Sequence, residues 1–272
     1  MTNWQADHIQ ANGLNIYYTR TGGNKPPVVL AHGFSDDGLC WTPVAEILAA
    51  DYDVIMVDAR GHGRSDAPEQ GYSLTEMAVD LAGVITGLRL HKPAILGHSM
   101  GGALTYVLAG TEPDLPGAIL IEDSGARNLA AGDGPEAQER QRQMGQRMIE
   151  FQSKSREALI ESARTSNPTW PEAELGPWAD AKLRFNLRAL NRLGATVANW
   201  EEILSRITCP ALLITADPDR GAMVSAEDAE RIKQLIPQLQ IAHIPGAGHN
   251  IRREQPAPYM VVVQTFLSEV MG

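Results

Sequence analysis

Ser99 sits within Gly97-His98-Ser99-Met100-Gly101, between an apolar run, Pro93-Ala94-Ile95-Leu96, and a helix-like run from Ala103 to Ala109. That strand-turn-helix setting makes it a candidate nucleophile. The turn is so sharp that the serine must adopt strained backbone angles, and only small residues fit where strand and helix nearly touch. A serine hydroxyl attacks poorly at neutral pH, so it needs a base within hydrogen-bond reach and a third group to orient that base. His249 is the candidate base, delivered by the small-residue loop Gly246-Ala247-Gly248. Residues just beyond the carboxyl ends of parallel strands face the ligand, and three aspartates meet that condition. Asp219 comes first by register and Asp217 second, both following Leu213-Ile214-Thr215, while Asp123 follows Ile121-Glu122 and can also reach the histidine.

Acyl transfer further requires donors for a developing oxyanion, each worth roughly 2.7–4 kcal/mol of transition-state stabilisation. The backbone N–H of Phe34, in His32-Gly33-Phe34, and that of Met100 are the candidate pair, because the residue after the nucleophile opens a helix with its N–H free. Side chains at both positions are then available to line a pocket. A rate that rises with pH as the histidine loses its proton is the expected signature.

Positioning these groups requires a sheet whose strand ends converge. Asp7 to Thr19 alternates in period two around Asn12-Gly13, a type I′ hairpin signal. Short apolar runs then recur at Val28 to Ala31, Val54 to Val57, Ala94 to Leu96, Ala118 to Ile121, Ala211 to Ile214 and Leu239 to Ile244, separated by helical stretches. Continuous runs of this kind indicate parallel strands buried on both faces. Capping boxes at Ser73-Leu74-Thr75-Glu76 and Ser225-Ala226-Glu227-Asp228 open two of the helices, and Tyr259 to Val270 forms a closing one. From 125 to 206 the strand rhythm stops and the chain turns polar with weak helical periodicity, which reads as an inserted helical cap between core segments 1–124 and 207–272. Within it Trp170, Trp178, Phe185 and Trp200 either pack the cap or wall an apolar pocket.

The bulk properties agree with a single globular enzyme. The 272 residues, 43% hydrophobic, suffice for one large domain, and a net charge of −10 disfavours nucleic acid and anionic membranes as partners. The N-terminus lacks a basic and apolar leader, and no stretch reaches the roughly 18 apolar residues of a membrane span, so a cytoplasmic location is the default expectation. Cys40 and Cys209 exclude a disulfide framework by number and read as small hydrophobes. His8, His91 and His243 are expected to be structural. His32, His62 and His98 are expected to stabilise loops or point into the fold.

Taken together, His32-Gly33-Phe34, Asp58-Ala59-Arg60-Gly61-His62-Gly63-Arg64-Ser65, Gly97 to Gly102 and Gly248-His249 resemble the α/β-hydrolase fold superfamily over nearly the whole chain outside the cap. The resemblance implies an α/β fold with an eight-stranded, mostly parallel sheet, a Ser-His-Asp triad and no cofactor. Many relatives place a glycine three residues ahead of the acid; here Ala216 takes the glycine's place and Asp219 matches the aspartate. Ser99 stands where the dehalogenases and epoxide hydrolases of the superfamily carry aspartate. The expectation is hydrolysis of an ester, thioester, lactone, amide or carbamate of a small molecule. A carbon–carbon bond hydrolase, or a receptor that keeps the triad with little turnover, is the alternative.

Overall fold

The computed structural model describes residues 4–125, 129, 135–192 and 197–271. Strands β1 (Gln5–Ala11) and β2 (Leu14–Arg20) form the opening hairpin, closed by Asn12 and Gly13 with φ of 49° and 76°, as a type I′ turn requires. The remaining strands are β3 (Pro27–Ala31), β4 (Asp53–Val57), β5 (Ala94–His98), β6 (Ala118–Glu122), β7 (Ala211–Thr215) and β8 (Leu239–His243). They lie in the order β1-β2-β4-β3-β5-β6-β7-β8, antiparallel at β1/β2 and β2/β4 and parallel elsewhere. Every residue of β4 to β7 is buried, which is why those strands read as unbroken apolar runs, whereas the edge strand β8 exposes Gln240, Ile241 and His243.

Alternate residues of each central strand serve opposite faces. Val29, Ile55, Ile95 and Ile119 pack with Met77, Leu81, Val84 and Ile85 of α2 (Leu74–Gly87) and Leu104, Val107 and Leu108 of α3 (Met100–Thr111). Val28, Leu30, Val54 and Leu96 pack on the other face with Val44, Ala45 and Leu48 of α1 (Thr42–Leu48) and with Tyr259, Val263 and Phe266 of the closing helix. The capping box of α2 forms in both directions between Ser73 and Glu76.

Between β6 and β7 the chain forms helices α4 (Pro135–Gln152), α5 (Arg156–Ser166) and α6 (Glu172–Arg184), a 3₁₀ turn at Leu187–Arg192, and α7 (Trp200–Ser205). Residues 126–128, 130–134 and 193–196 of the expected cap lie outside the described residues. Trp178 is buried with Leu159, Ala163, Leu175 and Ala179, while Phe185 is buried with Met148, Ala189 and Tyr72. Both aromatics therefore pack the inserted segment. After β7 come α8 (Ala226–Leu235), and after β8 come α9 (Ile251–Glu254) and α10 (Pro256–Met271). Cys40 and Cys209 are buried and unpaired. No helix among the described residues is long and apolar enough to cross a membrane.

The strand order reverses between β3 and β5, which pair in parallel with Ala31 opposite Gly97. Open α/β sheets bind ligands beyond the carboxyl ends of the strands at such a switch point. His32-Gly33-Phe34 and Ser99 leave the sheet there side by side. The crossing is tight enough that a Cβ on Gly101 would lie 2.1 Å from the Ala31 carbonyl oxygen, in the backbone of a central strand. Gly101→Ala is therefore expected to lower the unfolding free energy by about 2–4 kcal/mol in urea titrations. Gly145→Ala, where the nearest atom is the flexible end of Leu190 at 3.3 Å, should stay within about 1 kcal/mol of the parent.

Candidate active site

Ser99 links β5 to α3 with φ 51° and ψ −111°, a strained conformation for a residue with a side chain and worth about 1–3 kcal/mol. Backbone bonds on both sides hold it: its N–H donates to the Glu122 carbonyl at 3.0 Å and its carbonyl accepts from Ala103 N–H at 2.9 Å. A Cβ on Gly97 would lie 2.3 Å from the Gly101 carbonyl oxygen, so the flanking glycines are dictated by contact.

Asp123, one residue beyond the end of β6, meets His249. Its Oδ2 lies 2.6 Å from His249 Nδ1, with the aspartate side chain wholly buried and the imidazole 30% exposed. The same carboxylate accepts the N–H groups of Met223, at 2.8 Å, and Val224, at 3.0 Å. With Nδ1 donating to the carboxylate, the tautomer assigned to His249 leaves the Nε2 lone pair free. Because β5 and β6 are neighbours in register, with His98 opposite Glu122, Ser99 and Asp123 emerge at the same level of the sheet edge. His249 is fixed there by its main chain as well, His98 Nε2 donating to its carbonyl at 2.9 Å with the two rings 4.7 Å apart. Among the described residues no hydrogen bond closes onto Ser99 Oγ, a contact that in unliganded enzymes often forms only with substrate.

Neither Asp219 nor Asp217, the acids ranked first from the sequence, touches His249. Asp219 is exposed in the single 3₁₀ turn Pro218–Arg220. Asp217 accepts from Gly246 N–H at 2.7 Å and pairs with His243 Nε2 at 3.0 Å, tying the end of β7 to the loop that precedes His249. The physical reason is topological. β7 is separated from β5 by β6, and the chain leaving β7 curls back so that Met223 and Val224 present donors to Asp123. The segment expected to supply the acid instead donates two backbone N–H groups to Asp123, at the end of the neighbouring strand. Asp123 itself takes φ 43°, a left-handed conformation with no trace in the sequence.

The loop after β3 is aligned by His32. Ala59 N–H donates to His32 Nε2 at 2.9 Å, so Nδ1 carries the proton and donates to the Gly33 carbonyl at 2.8 Å, which also accepts from Asp36 N–H at 3.1 Å. No peptide bond in the described residues is cis. In a trans peptide, pinning the Gly33 carbonyl aims the Phe34 N–H the opposite way. That N–H has no hydrogen-bond partner among the described residues, and Met100 N–H lies in the unpaired first turn of α3. The Phe34 ring packs edge-on against Phe185 and His62, at centroid distances of 5.3 and 5.8 Å.

Sequence reasoning missed the buried charges around this edge. Arg252 and Arg253 follow His249 closely and are wholly buried. Arg252 meets Glu122, and Arg253 meets Glu174 of α6 at 3.0 Å; both reach Asp36, at 3.3 and 2.9 Å. Burial alone would raise the Asp36 carboxyl, but Arg253, Lys182 and Arg252 hold it well below the usual carboxylate range. The available signal was a pair of like charges beginning within three residues after each of two motifs, Asp36-Asp37 after His32-Gly33-Phe34 and Arg252-Arg253 after Gly248-His249.

His32, His62 and His98 are each buried with their pKa lowered, chiefly by burial, that of His62 to about 3. A histidine held neutral in the folded state stabilises less as the unfolded chain begins to bind protons, so stability falls as pH drops below about 6.5. For His62, whose folded pKa lies far below this window, the slope is about 1.4 kcal/mol per pH unit there. Between pH 7.5 and pH 5.0 the buried Asp58, pushed up to about 7 by burial, acts in the opposite sense, so the test is the substitution: in urea unfolding His62→Asn should lose about 2 kcal/mol less than the parent over this interval. A change over this interval that is the same in His62→Asn and the parent contradicts the assignment.

Residues 28–260 match the model of the alpha/beta hydrolase family. The N-formylmaleamate deformylase of Pseudomonas putida is 26% identical over 252 residues, covering 90% of this chain and 89% of that protein. The 2-(acetamidomethylene)succinate hydrolase of Mesorhizobium japonicum is 25% identical over 273 residues, covering 96% of each. Among solved structures, a thermophilic esterase from Thermogutta terrifontis superposes with a TM-score of 0.74 at 25% identity, covering 98% of this chain and all of that one. These relatives are hydrolases. With a strained serine turn, a histidine on a buried aspartate, an eight-stranded mostly parallel sheet and a family match over most of its length, the chain belongs to the α/β hydrolase family.

Proposed function

We propose that this protein is a serine hydrolase that cleaves the carbonyl–heteroatom bond of a small-molecule ester, thioester, lactone, amide or carbamate through an acyl-enzyme on Ser99. The observation that carries the reading is the 2.6 Å contact between His249 Nδ1 and the buried Asp123 carboxylate, at the same sheet edge as the strained Ser99 turn. In the proposed cycle Ser99 Oγ attacks the carbonyl carbon while His249 Nε2 takes its proton. The tetrahedral oxyanion accepts from Phe34 N–H and Met100 N–H. His249 then protonates the leaving group, and a water activated by the same nitrogen releases the acid. Asp123 keeps the imidazole in the required tautomer and stabilises the imidazolium. Helices α4 to α7 act as a cap over this edge, with Phe185 against Phe34 as part of its inner wall.

Two relatives named for breaking carbon–nitrogen bonds, a deformylase and an acetamidomethylene hydrolase, extend the panel beyond simple esters. Purified protein is to be assayed on p-nitrophenyl acetate and butyrate, several lactones, N-formylmaleamate and 2-(acetamidomethylene)succinate, beside Ser99→Ala. Turnover that Ser99→Ala abolishes is the expected result. A fluorophosphonate probe should label Ser99 alone by peptide mapping; no turnover together with no label at Ser99 overturns the reading.

Asp123→Asn should lower kcat by about 10⁴-fold, as loss of the orienting carboxylate does in a serine protease. Asp219→Asn should leave kcat within a few-fold of the parent. The reverse pattern would return the orienting role to Asp219.

A further inference from the structure

The donor loop after β3 is held from outside by one cation of the inserted segment. Lys182, in the last turn of α6, is 3% exposed. Its Nζ donates to the Ser35 carbonyl at 2.7 Å and to Asp36 Oδ1 at 2.8 Å. The ammonium also lies 5.0 Å from the centre of the Trp178 ring, whose face favours a cation. Ser35 is in the left-handed region, φ 66°, so the residue directly after Phe34 holds a conformation that disfavours a side chain. Asp36, the next residue, returns its own N–H to the Gly33 carbonyl. The Gly33–Phe34 peptide is therefore fixed at its carbonyl by His32 Nδ1 and by the Asp36 N–H, and the Ser35–Asp36 peptide that carries this N–H is fixed at its own carbonyl by Lys182.

On the reading given under Proposed function, we infer that Lys182 is a positioning residue of the anion hole, whose ammonium, by holding the Ser35 carbonyl and Asp36, keeps the Phe34 N–H aimed at the developing oxyanion. The hole is thus assembled from two segments, the strand end that supplies the donor and a helix inserted far along the chain that sets its angle. Arg184, two residues on, offers a built-in comparison. It makes a second tie from α6 to the same loop, pairing with the Asp37 side chain at 2.6 Å, but hydrogen-bonds neither the Gly33–Phe34 nor the Ser35–Asp36 peptide.

If the tie acts on the hole, losing it must harm the transition state more than substrate binding. Lys182→Met keeps the side-chain length and the packing on Trp178 while removing the donor. Expected are a 10- to 100-fold lower kcat, a KM within threefold, and a matching loss in the rate at which a fluorophosphonate labels Ser99 and in affinity for a trifluoromethyl ketone. Arg184→Met should lower the melting temperature yet keep the labelling rate within threefold. Lys182→Arg preserves the charge but spends its planar fork on Asp36, leaving the Ser35 carbonyl without its donor. It should fold and still label at least fivefold more slowly than the parent.

A parental labelling rate in whichever Lys182 variant folds overturns the inference. So does a loss confined to KM, or an equal loss in Arg184→Met, since either is what a plain anchor for the inserted helices would give. Absence of both turnover and labelling at Ser99 in the unaltered protein would instead overturn the hydrolase reading, which keeps the two failures apart.

Discussion

The site depends on the side-by-side pairing of three parallel strands. β3, β5 and β6 are adjacent and in register, with Ala31 opposite Gly97 and His98 opposite Glu122, so the chain leaves all three at one level. The His32-Gly33-Phe34 loop, Ser99 and Asp123 follow directly on the ends of those strands. Nothing in the side chains would bring Phe34, Ser99 and Asp123 together if that register slipped by one residue, since a slip turns every side chain to the opposite face. The glycines of the serine turn are consequences of the same pairing. They allow α3 to cross within contact distance of the end of β3.

The site is polar and charged well below its surface, and its charges are balanced. Asp36, Glu122 and Glu174 meet Lys182, Arg252 and Arg253, all at most 5% exposed. Buried ion pairs gain little over apolar packing, yet removing one partner leaves an uncompensated charge and costs about 3–5 kcal/mol. What the network does here is join elements. It links the donor loop, the end of β6, helix α6 and the turn after His249, so the parts that carry chemistry cannot shift independently. The histidines act likewise: His32 sets the Gly33 peptide and His98 holds the His249 main chain, each through a neutral ring with a defined tautomer.

Much of this was legible from residue order. Asn12-Gly13 announced the hairpin, the buried runs announced the parallel strands, and the small residues around Ser99 announced a turn that only they could make. The fold followed because continuous apolar runs and capping boxes report local physics. The acid was not legible in the same way. Choosing between Asp123, Asp217 and Asp219 requires knowing which strand lies next to β5, and strand order is a property of the whole sheet. Register counting along the chain favoured Asp219, which the structure places exposed in a 3₁₀ turn. The segment around it delivers the Met223 and Val224 N–H groups to Asp123 instead. Lys182 was less visible still. A lysine amid a polar helical segment reads as a solvated face until tertiary packing buries it against Ser35 and Asp36.

The pairing of Asp123 with His249 can be observed without any substrate. In ¹⁵N-labelled protein the His249 ring should appear as the neutral Nδ1–H tautomer, with a strongly downfield Nδ1 proton that disappears in Asp123→Asn and persists in Asp219→Asn. An Nε2–H tautomer in the unaltered protein, or a downfield proton that survives Asp123→Asn and is lost in Asp219→Asn, would contradict the account.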